Sequence, residues 1–362
     1  MDKQTKHNRR YGLLLFILIL STMAVLLMGL SSCGSAGRHE NKLIDDLAGR
    51  IIETPVQDMG ADEDPVTIGI IDVLGNFTGD TFEIATVKDR VYKKTIGDFG
   101  LYDYALPLSE KDPGQKERYP FILFIPGGSW TDVKKENLTL PAEGLSYFGF
   151  ATAVINTRVL PNYGYFDQLE DVLDALQYFY DNADLLQINR DEIFVVGVSS
   201  GGNMALTAAY SRGNIPERPK WAGKYTFDIA GVSTMSAPID MNELRLAKSN
   251  MGVGLSTDLF PDITVNRAGL ELASKIMNPI SYITEETPTT LIIGGSNDSI
   301  VPSTQARILH KALSKHGIES KLLIYLDATH TEWSEGEVFK AMGEFFQNER
   351  IQKEQEKGST IS

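Results

Sequence analysis

The chain has 362 residues, 42% of them hydrophobic, and carries 34 Lys and Arg against 48 Asp and Glu, for a formal net charge of −14. That length and apolar share suit one large α/β domain with a substantial core, plus tails. The acidic balance argues against nucleic acid and anionic lipid as partners, the single cysteine, Cys33, excludes an intrachain disulfide, and no Cys/His cluster points to a metal site.

Residues 1–10 are basic and residues 11–30 carry no charge, and the segment closes on Leu30-Ser31-Ser32-Cys33. A basic stretch, an apolar stretch and small residues before a cut site describe an export signal. The last four residues resemble a bacterial lipobox, which implies that residues 1–32 are a lipoprotein signal peptide and that Cys33 becomes the lipidated first residue. The competing expectation is an uncleaved anchor, because the apolar run is near bilayer-spanning length. Either way the remainder is expected outside the cytoplasm, in the cell envelope. Without residues 1–32, which hold Lys3, Lys6, Arg9, Arg10 and Asp2, its formal charge is −17. Residues 33–64 are polar and acidic and read as a flexible tether, with a short helix near Lys42–Ile52.

Residues 65–350 read as the main folded domain. Val66–Val73 is a strand candidate, and Val87–Tyr92 and Leu101–Leu106 are predicted antiparallel strands joined by a turn with Gly97, Asp98 and Gly100. Phe121–Ile125 is a buried strand that runs into Pro126-Gly127-Gly128-Ser129-Trp130, and Phe150–Ile155 is the next strand. In Gln168–Asp181, apolar Leu169, Val172, Leu173, Leu176 and Phe179 line one helical face. Ile193–Val196 is a strand, Asn203–Tyr210 a helix and Ile229–Met235 a strand.

Residues 238–288 break the rhythm, with Met241–Ser249, a Gly-rich Met251–Gly254 and a helically spaced Asn266–Met277. Such an insertion is either a small cap over the site or a plain surface excursion. Strand Thr290–Ile293, helix Ser303–Lys315, strand Lys321–Leu326 and helix Glu335–Asn348 complete the domain, and residues 351–362 read as a fraying polar tail. Strands alternating with helices predict a mostly parallel central sheet with helices on both faces.

Between the Ile193–Val196 strand and the Asn203–Tyr210 helix lies Gly197-Val198-Ser199-Ser200-Gly201-Gly202. This is a G-x-S-x-G elbow in its expected strand–turn–helix setting. The turn strains the serine backbone, so its neighbours must lack bulk. In return, the hydroxyl stands clear of the sheet at a helix N-terminus that favours negative charge.

A serine hydroxyl needs a base to take its proton and a third group to orient that base. After Ser199 the histidines are His310, His316 and His330. The first two fall in or at the end of a predicted helix and read as surface residues. His330 follows a strand, on the sheet edge where sites of open α/β sheets gather. Asp298, after the Thr290–Ile293 strand, is the expected acid; Asp327 is a rival on the same loop as His330. The N–H of Ser200 and the small residues Gly127-Gly128-Ser129 are expected to hold an oxyanion.

Residues from about Val87 to Phe346 resemble an α/β-hydrolase esterase of the His-Gly-Gly group, which includes acetyl and feruloyl esterases, hormone-sensitive-lipase-like carboxylesterases and arylformamidases. The resemblance rests on Gly127-Gly128-Ser129-Trp130, Gly197 to Gly202, Asp298 and His330. It implies oxyanion donors at Gly128, Ser129 and Ser200. Leu169-Glu170-Asp171-Val172 is similar to a family helix opening with aspartate, and Asp171 reads as structural. Pro126 replaces the family's loop-steadying histidine, which bears on loop geometry and rate rather than on the three side chains.

The resulting expectation is a serine carboxylesterase without cofactor or metal. Ser199, His330 and Asp298 form its catalytic triad, and its substrate is a small-molecule or glycan-linked ester, with acetyl or aryl acyl groups suggested by analogy. The alternatives are a peptidase or amidase on the same fold and a binding lipoprotein without turnover.

Overall fold

The computed structural model describes residues 67–69, 82–108, 118–246, 258–261, 263, 266–333 and 335–360, all within a unit spanning Gly60–Ser362. The signal peptide, Cys33 and the tether expected at 33–64 lie outside the described residues. Among the described residues nine strands form one sheet: β1 (Thr67–Gly69), β2 (Glu83–Val91), β3 (Leu101–Leu108), β4 (Tyr119–Ile125), β5 (Ala151–Ile155), β6 (Ile188–Val198), β7 (Gly231–Met235), β8 (Thr290–Gly295) and β9 (Ser320–Tyr325), in the order β1-β2-β3-β5-β4-β6-β7-β8-β9. The first three pairings are antiparallel and all pairings from β5 to β9 are parallel. The order reverses at β4, with β5 on one side and β6 on the other. The crevice at the C-terminal ends of β4 and β6 is therefore the switch point where this class of sheet binds ligands.

Seven α-helices accompany the sheet among the described residues: α1 (Glu136–Ser146), α2 (Tyr165–Asp181), α3 (Ser200–Ser211), α4 (Met241–Leu246), α5 (Arg267–Met277), α6 (Thr304–Lys315) and α7 (Glu335–Thr360). Strand periodicity distributes them over two faces. In β4, Ile122 and Phe124 join a core cluster with Leu138, Ala142 and Leu145 of α1 and Val338, Met342, Phe345 and Phe346 of α7. The alternate residue Phe121 faces the other way and meets Phe179 of α2, ring centroids 4.7 Å apart. Phe194 of β6 packs on Phe346 at 4.6 Å. Its face-opposite neighbour Gly197 lies against Gly202 and Ala205 of α3. The runs Phe121–Ile125 of β4 and Ile193–Val196 of β6 are continuously apolar and buried, as suits strands covered on both faces.

Several boundaries differ from expectation, each for a local reason. Helix α1 was not expected: Pro141 and Gly144 interrupt it and lower its propensity, and burial of Leu138, Ala142 and Leu145 outweighs that. Helix α7, expected to end at Asn348, is assigned to Thr360, as the run of Gln, Lys and Glu permits. The Gly97–Gly100 turn is part of a short 3-10 segment, Lys94–Gly100. Of the insertion, α4, residues 258–261 and 263, and α5 with the 3-10 turn Pro279–Tyr282 are described; the Gly-rich Met251–Gly254 lies outside the described residues. The insertion docks on α2, where the Leu259 carbonyl accepts the Tyr165 N–H at 2.7 Å and Phe260 packs 5.4 Å from the Tyr165 ring.

Candidate active site

The elbow is built by close approach. Ser199 sits at φ 52°, ψ −123°, in the positive-φ region that side chains other than glycine rarely adopt. A Cβ at Gly201 would run into the carbonyl oxygens of Ile125 and Pro126, and one at Gly202 would stand 2.7 Å from the Ala237 Cβ. Glycine is therefore required on the helix side of the serine by contact with β4 and with the end of β7. The Ser199 N–H donates to the Met235 carbonyl at 2.8 Å, and the Ser199 carbonyl accepts from the Gly202 N–H at 2.9 Å. Both peptide groups that flank the strained residue are thus tied down.

Three side chains converge there from three loops. His330 Nε2 lies 3.0 Å from Ser199 Oγ, and His330 Nδ1 lies 2.8 Å from Asp298 Oδ2. With Nδ1–H donating to the carboxylate, Nε2 is left as the acceptor for the serine proton. Ser199 is 9% exposed and Asp298 6%, so the pair works largely out of water. Burial pushes the Asp298 carboxyl up, but hydrogen bonds from His330, the Val301 N–H and the Ser236 hydroxyl outweigh it and hold the group below the ordinary aspartate range. The carboxylate is consequently charged at neutral pH and able to stabilise an imidazolium.

The other histidines lie elsewhere. His316 is exposed at the end of α6, its Nδ1 2.8 Å from the Ala312 carbonyl. His310 is half-buried rather than a free surface residue, because its Nδ1 meets Ser320 Oγ at 2.8 Å. Asp327, the rival acid, is exposed at φ 60°, and its N–H bonds Ser296 Oγ at 2.9 Å. Asp171 is fully buried and takes the Arg158 N–H, the Arg158 guanidinium and Lys93 Nζ, the last at 2.9 Å. That is a structural ion network, as expected.

The loop after β4 curls over Ser199. Gly128, Ser129 and Trp130 all have positive φ, at 144°, 52° and 62°. Among the described residues no protein acceptor takes the N–H of Gly128 or Ser129. As the first residue of α3, Ser200 has no carbonyl one turn back for its own N–H. The parallel register Ile125↔Gly197 brings the two segments side by side, and a Cβ at Gly127 would stand 2.9 Å from that of Ser199. The arrangement offers main-chain donors beside a hydroxyl that has a base, which is what an acyl-transfer site requires.

With Pro126 in place of histidine, this loop is pinned through Trp130. The Trp130 N–H donates to Ser200 Oγ at 3.3 Å, and its carbonyl accepts from the Leu160 N–H at 2.9 Å and from buried Gln168 Nε2 at 3.2 Å. Sequence reasoning missed Gln168 and Ser236; neither carries a motif, and their partners lie 38 and 62 residues away. Trp333 donates its indole N–H to the His330 carbonyl at 3.0 Å and so steadies the histidine loop. Asn203 of α3 donates to the Pro238 and Met277 carbonyls at 2.9 and 2.7 Å, tying the start of the insertion and the end of α5 to the elbow helix. Among the described residues no group of His, Cys, Asp and Glu is placed to hold a metal ion.

Comparison with known proteins agrees with this architecture. Esterase LipQ of Mycobacterium tuberculosis is 26% identical over 206 residues, covering 57% of this chain and 48% of its own length. The chain thus spans about half the length of this curated relative. Among solved structures, esterase B from Lactobacillus rhamnosis superposes with a TM-score of 0.65 at 18% identity, covering 76% of this chain and 89% of that one. A truncated carbohydrate esterase from gut microbiota superposes with a TM-score of 0.58 at 21% identity, covering 75% and 97%. These likenesses place the sheet and its helices in the α/β-hydrolase fold. The sequence model of the BD-FAE family matches residues 110–313, a span that contains the oxyanion-type loop, Ser199 and Asp298 and ends before His330. With more than half of its length matched, the chain belongs to the BD-FAE family.

Proposed function

We propose that the chain is a serine carboxylesterase in which Ser199 is the nucleophile, His330 the general base and acid, and Asp298 the group that orients the imidazole. The observation that carries the reading is the unbroken hydrogen-bond chain from Ser199 Oγ to His330 Nε2 at 3.0 Å and from Nδ1 to Asp298 at 2.8 Å. Ser199 Oγ bonds the ester carbonyl carbon while its proton passes to His330 Nε2. The developing oxyanion is received by the N–H groups of Gly128, Ser129 and Ser200. The tetrahedral adduct then expels the alcohol, which takes the proton from His330, and leaves an acyl-enzyme. Water repeats the sequence, giving its proton to His330 and releasing the acid and the free Ser199.

For the substrate we infer a short acyl group, acetyl or aryl, on a small alcohol or a glycan. The carbohydrate esterase among the structural neighbours supports a glycan, and the BD-FAE match supports an ester. The lipobox-like Leu30-Ser31-Ser32-Cys33 supports a lipid-anchored enzyme outside the cytoplasm.

The test is hydrolysis of nitrophenyl acetate, butyrate and feruloyl esters by the domain and by Ser199→Ala. Loss of the nucleophile should lower kcat on the order of 10⁴- to 10⁶-fold, and a fluorophosphonate should label the wild type and spare the variant. Undiminished turnover in Ser199→Ala would reject the assignment.

A further inference from the structure

The oxygen of Asp298 that faces His330 has a second donor. Ser236 Oγ donates to Asp298 Oδ2 at 2.8 Å, the same oxygen that lies 2.8 Å from His330 Nδ1. Asp298 Oδ1 accepts from the N–H groups of Ile300 and Val301, at 2.9 and 2.8 Å. The two oxygens of the carboxylate thus hold four donors, which fills their accepting capacity.

Ser236 is also held with care. It follows β7 directly, is 4% exposed and has φ 49°, a conformation costly for a residue with a Cβ. Its N–H donates to the Ile293 carbonyl of β8 at 2.9 Å, and the preceding carbonyl, that of Met235, accepts the N–H of Ser199 at 2.8 Å. Two consecutive residues at the end of one strand therefore fix the elbow backbone and the acid. Backbone strain at a buried hydroxyl that contacts a charged group is the kind of outlier that points to function.

We propose that Ser236 is a positioning residue of the candidate hydrolase site, acting on His330 through Asp298; this rests on the triad reading above. Its hydroxyl does two things. It stops the carboxylate from rotating, so that Oδ2 stays aimed at Nδ1. It also shares the negative charge of the oxygen that faces the imidazole, so that the carboxylate's pull on a protonated ring is moderated. The groups facing this carboxylate are Ile300 and Val301 from its own loop, Ser236 from the end of β7 and His330 from the loop after β9. His330 in turn faces Ser199 from the elbow. Among the described residues no Lys, Arg, Glu or second Asp forms an ion pair with Asp298 or His330.

The experiment compares Ser236→Ala, which removes the hydroxyl and keeps the strained Cβ, with Ser236→Gly, which removes both. The imidazole of His330 is titrated by NMR, and nitrophenyl acetate hydrolysis is followed against pH. Both variants should raise the pH at which His330 titrates, move the acid limb of kcat/KM upward with it, and lower kcat roughly tenfold at little change in KM. If His330 titrates as in the wild type in both variants, or if Ser236→Gly restores what Ser236→Ala loses, the hydroxyl has no positioning role and the proposal falls. The NMR titration needs no turnover. A wild type lacking Ser199-dependent hydrolysis would sink the esterase reading, while a shifted His330 in the variants would still support the coupling of Ser236 to the Asp298–His330 pair.

Discussion

Asp298 keeps its charge in a buried place because donors reach it from three segments of the chain, and this sets how it behaves with acid. Its carboxyl is held below the usual range against the opposing effect of burial. A lowered folded-state pKa means that the carboxylate favours folding at pH values above the ordinary aspartate value of about 3.9, and that this contribution fades as the pH drops toward the folded-state pKa. Asp298→Asn should therefore be less stable than wild type in urea at pH 7, and the gap should narrow on going to pH 3. A gap that stays constant or widens in acid would contradict the charge-assisted network. At this scale chain order and motif together point to Ser199, Asp298 and His330, three side chains that the structure links by hydrogen bonds. The sequence was silent on Ser236 and Gln168, because a serine after a strand and a glutamine on a helix face look like any others. Their importance comes from which oxygens the fold brings to them, and no local pattern encodes that.

Among the elements, α3 is the one whose placement the site depends on most. It is buried along its whole length, from Ser200 to Ser211, and its first turn touches the backbone at the end of β4. Gly201→Ala should therefore act beyond its size. The added methyl meets the carbonyl oxygens of Ile125 and Pro126, which are main-chain atoms that cannot swing aside, so α3 or the loop after β4 must shift. Expected are a stability loss of about 1–3 kcal/mol and a collapse of ester turnover beyond what the loss of folded protein explains. A variant with native urea midpoint and native turnover would show that the contact is slack. The long apolar strands and α2 were readable because periodicity and burial agree there. Helix α1 was not, since Pro141 and Gly144 argue against a helix locally and only packing against α7 and the sheet tips the balance toward one.

At the scale of the whole molecule, the parallel sheet and its order of events along the chain were legible from alternation alone, while the reversal at β4 was not, because adjacency between strands is a property of pairing rather than of pattern. The proposed anchoring also belongs here. With an acidic domain that anionic lipid repels, retention at a membrane would rest on lipid at Cys33. Cys33→Ser should accordingly move the protein from the membrane fraction to the soluble fraction, or stall it as an uncleaved precursor. Unaltered fractionation and unaltered mass would remove the lipobox reading. The reversal at β4 has a further consequence. The hydroxyl and the main-chain donors beside it belong to strands that are neighbours in space but separated in sequence by α1, β5 and α2. Neither half can be competent until the intervening polypeptide, roughly 200 Å long if fully extended at about 3.3 Å per residue, has been wound up and β6 has docked beside β4. On the proposed function, a newly synthesised chain would therefore be inert toward esters until the centre of the sheet has closed.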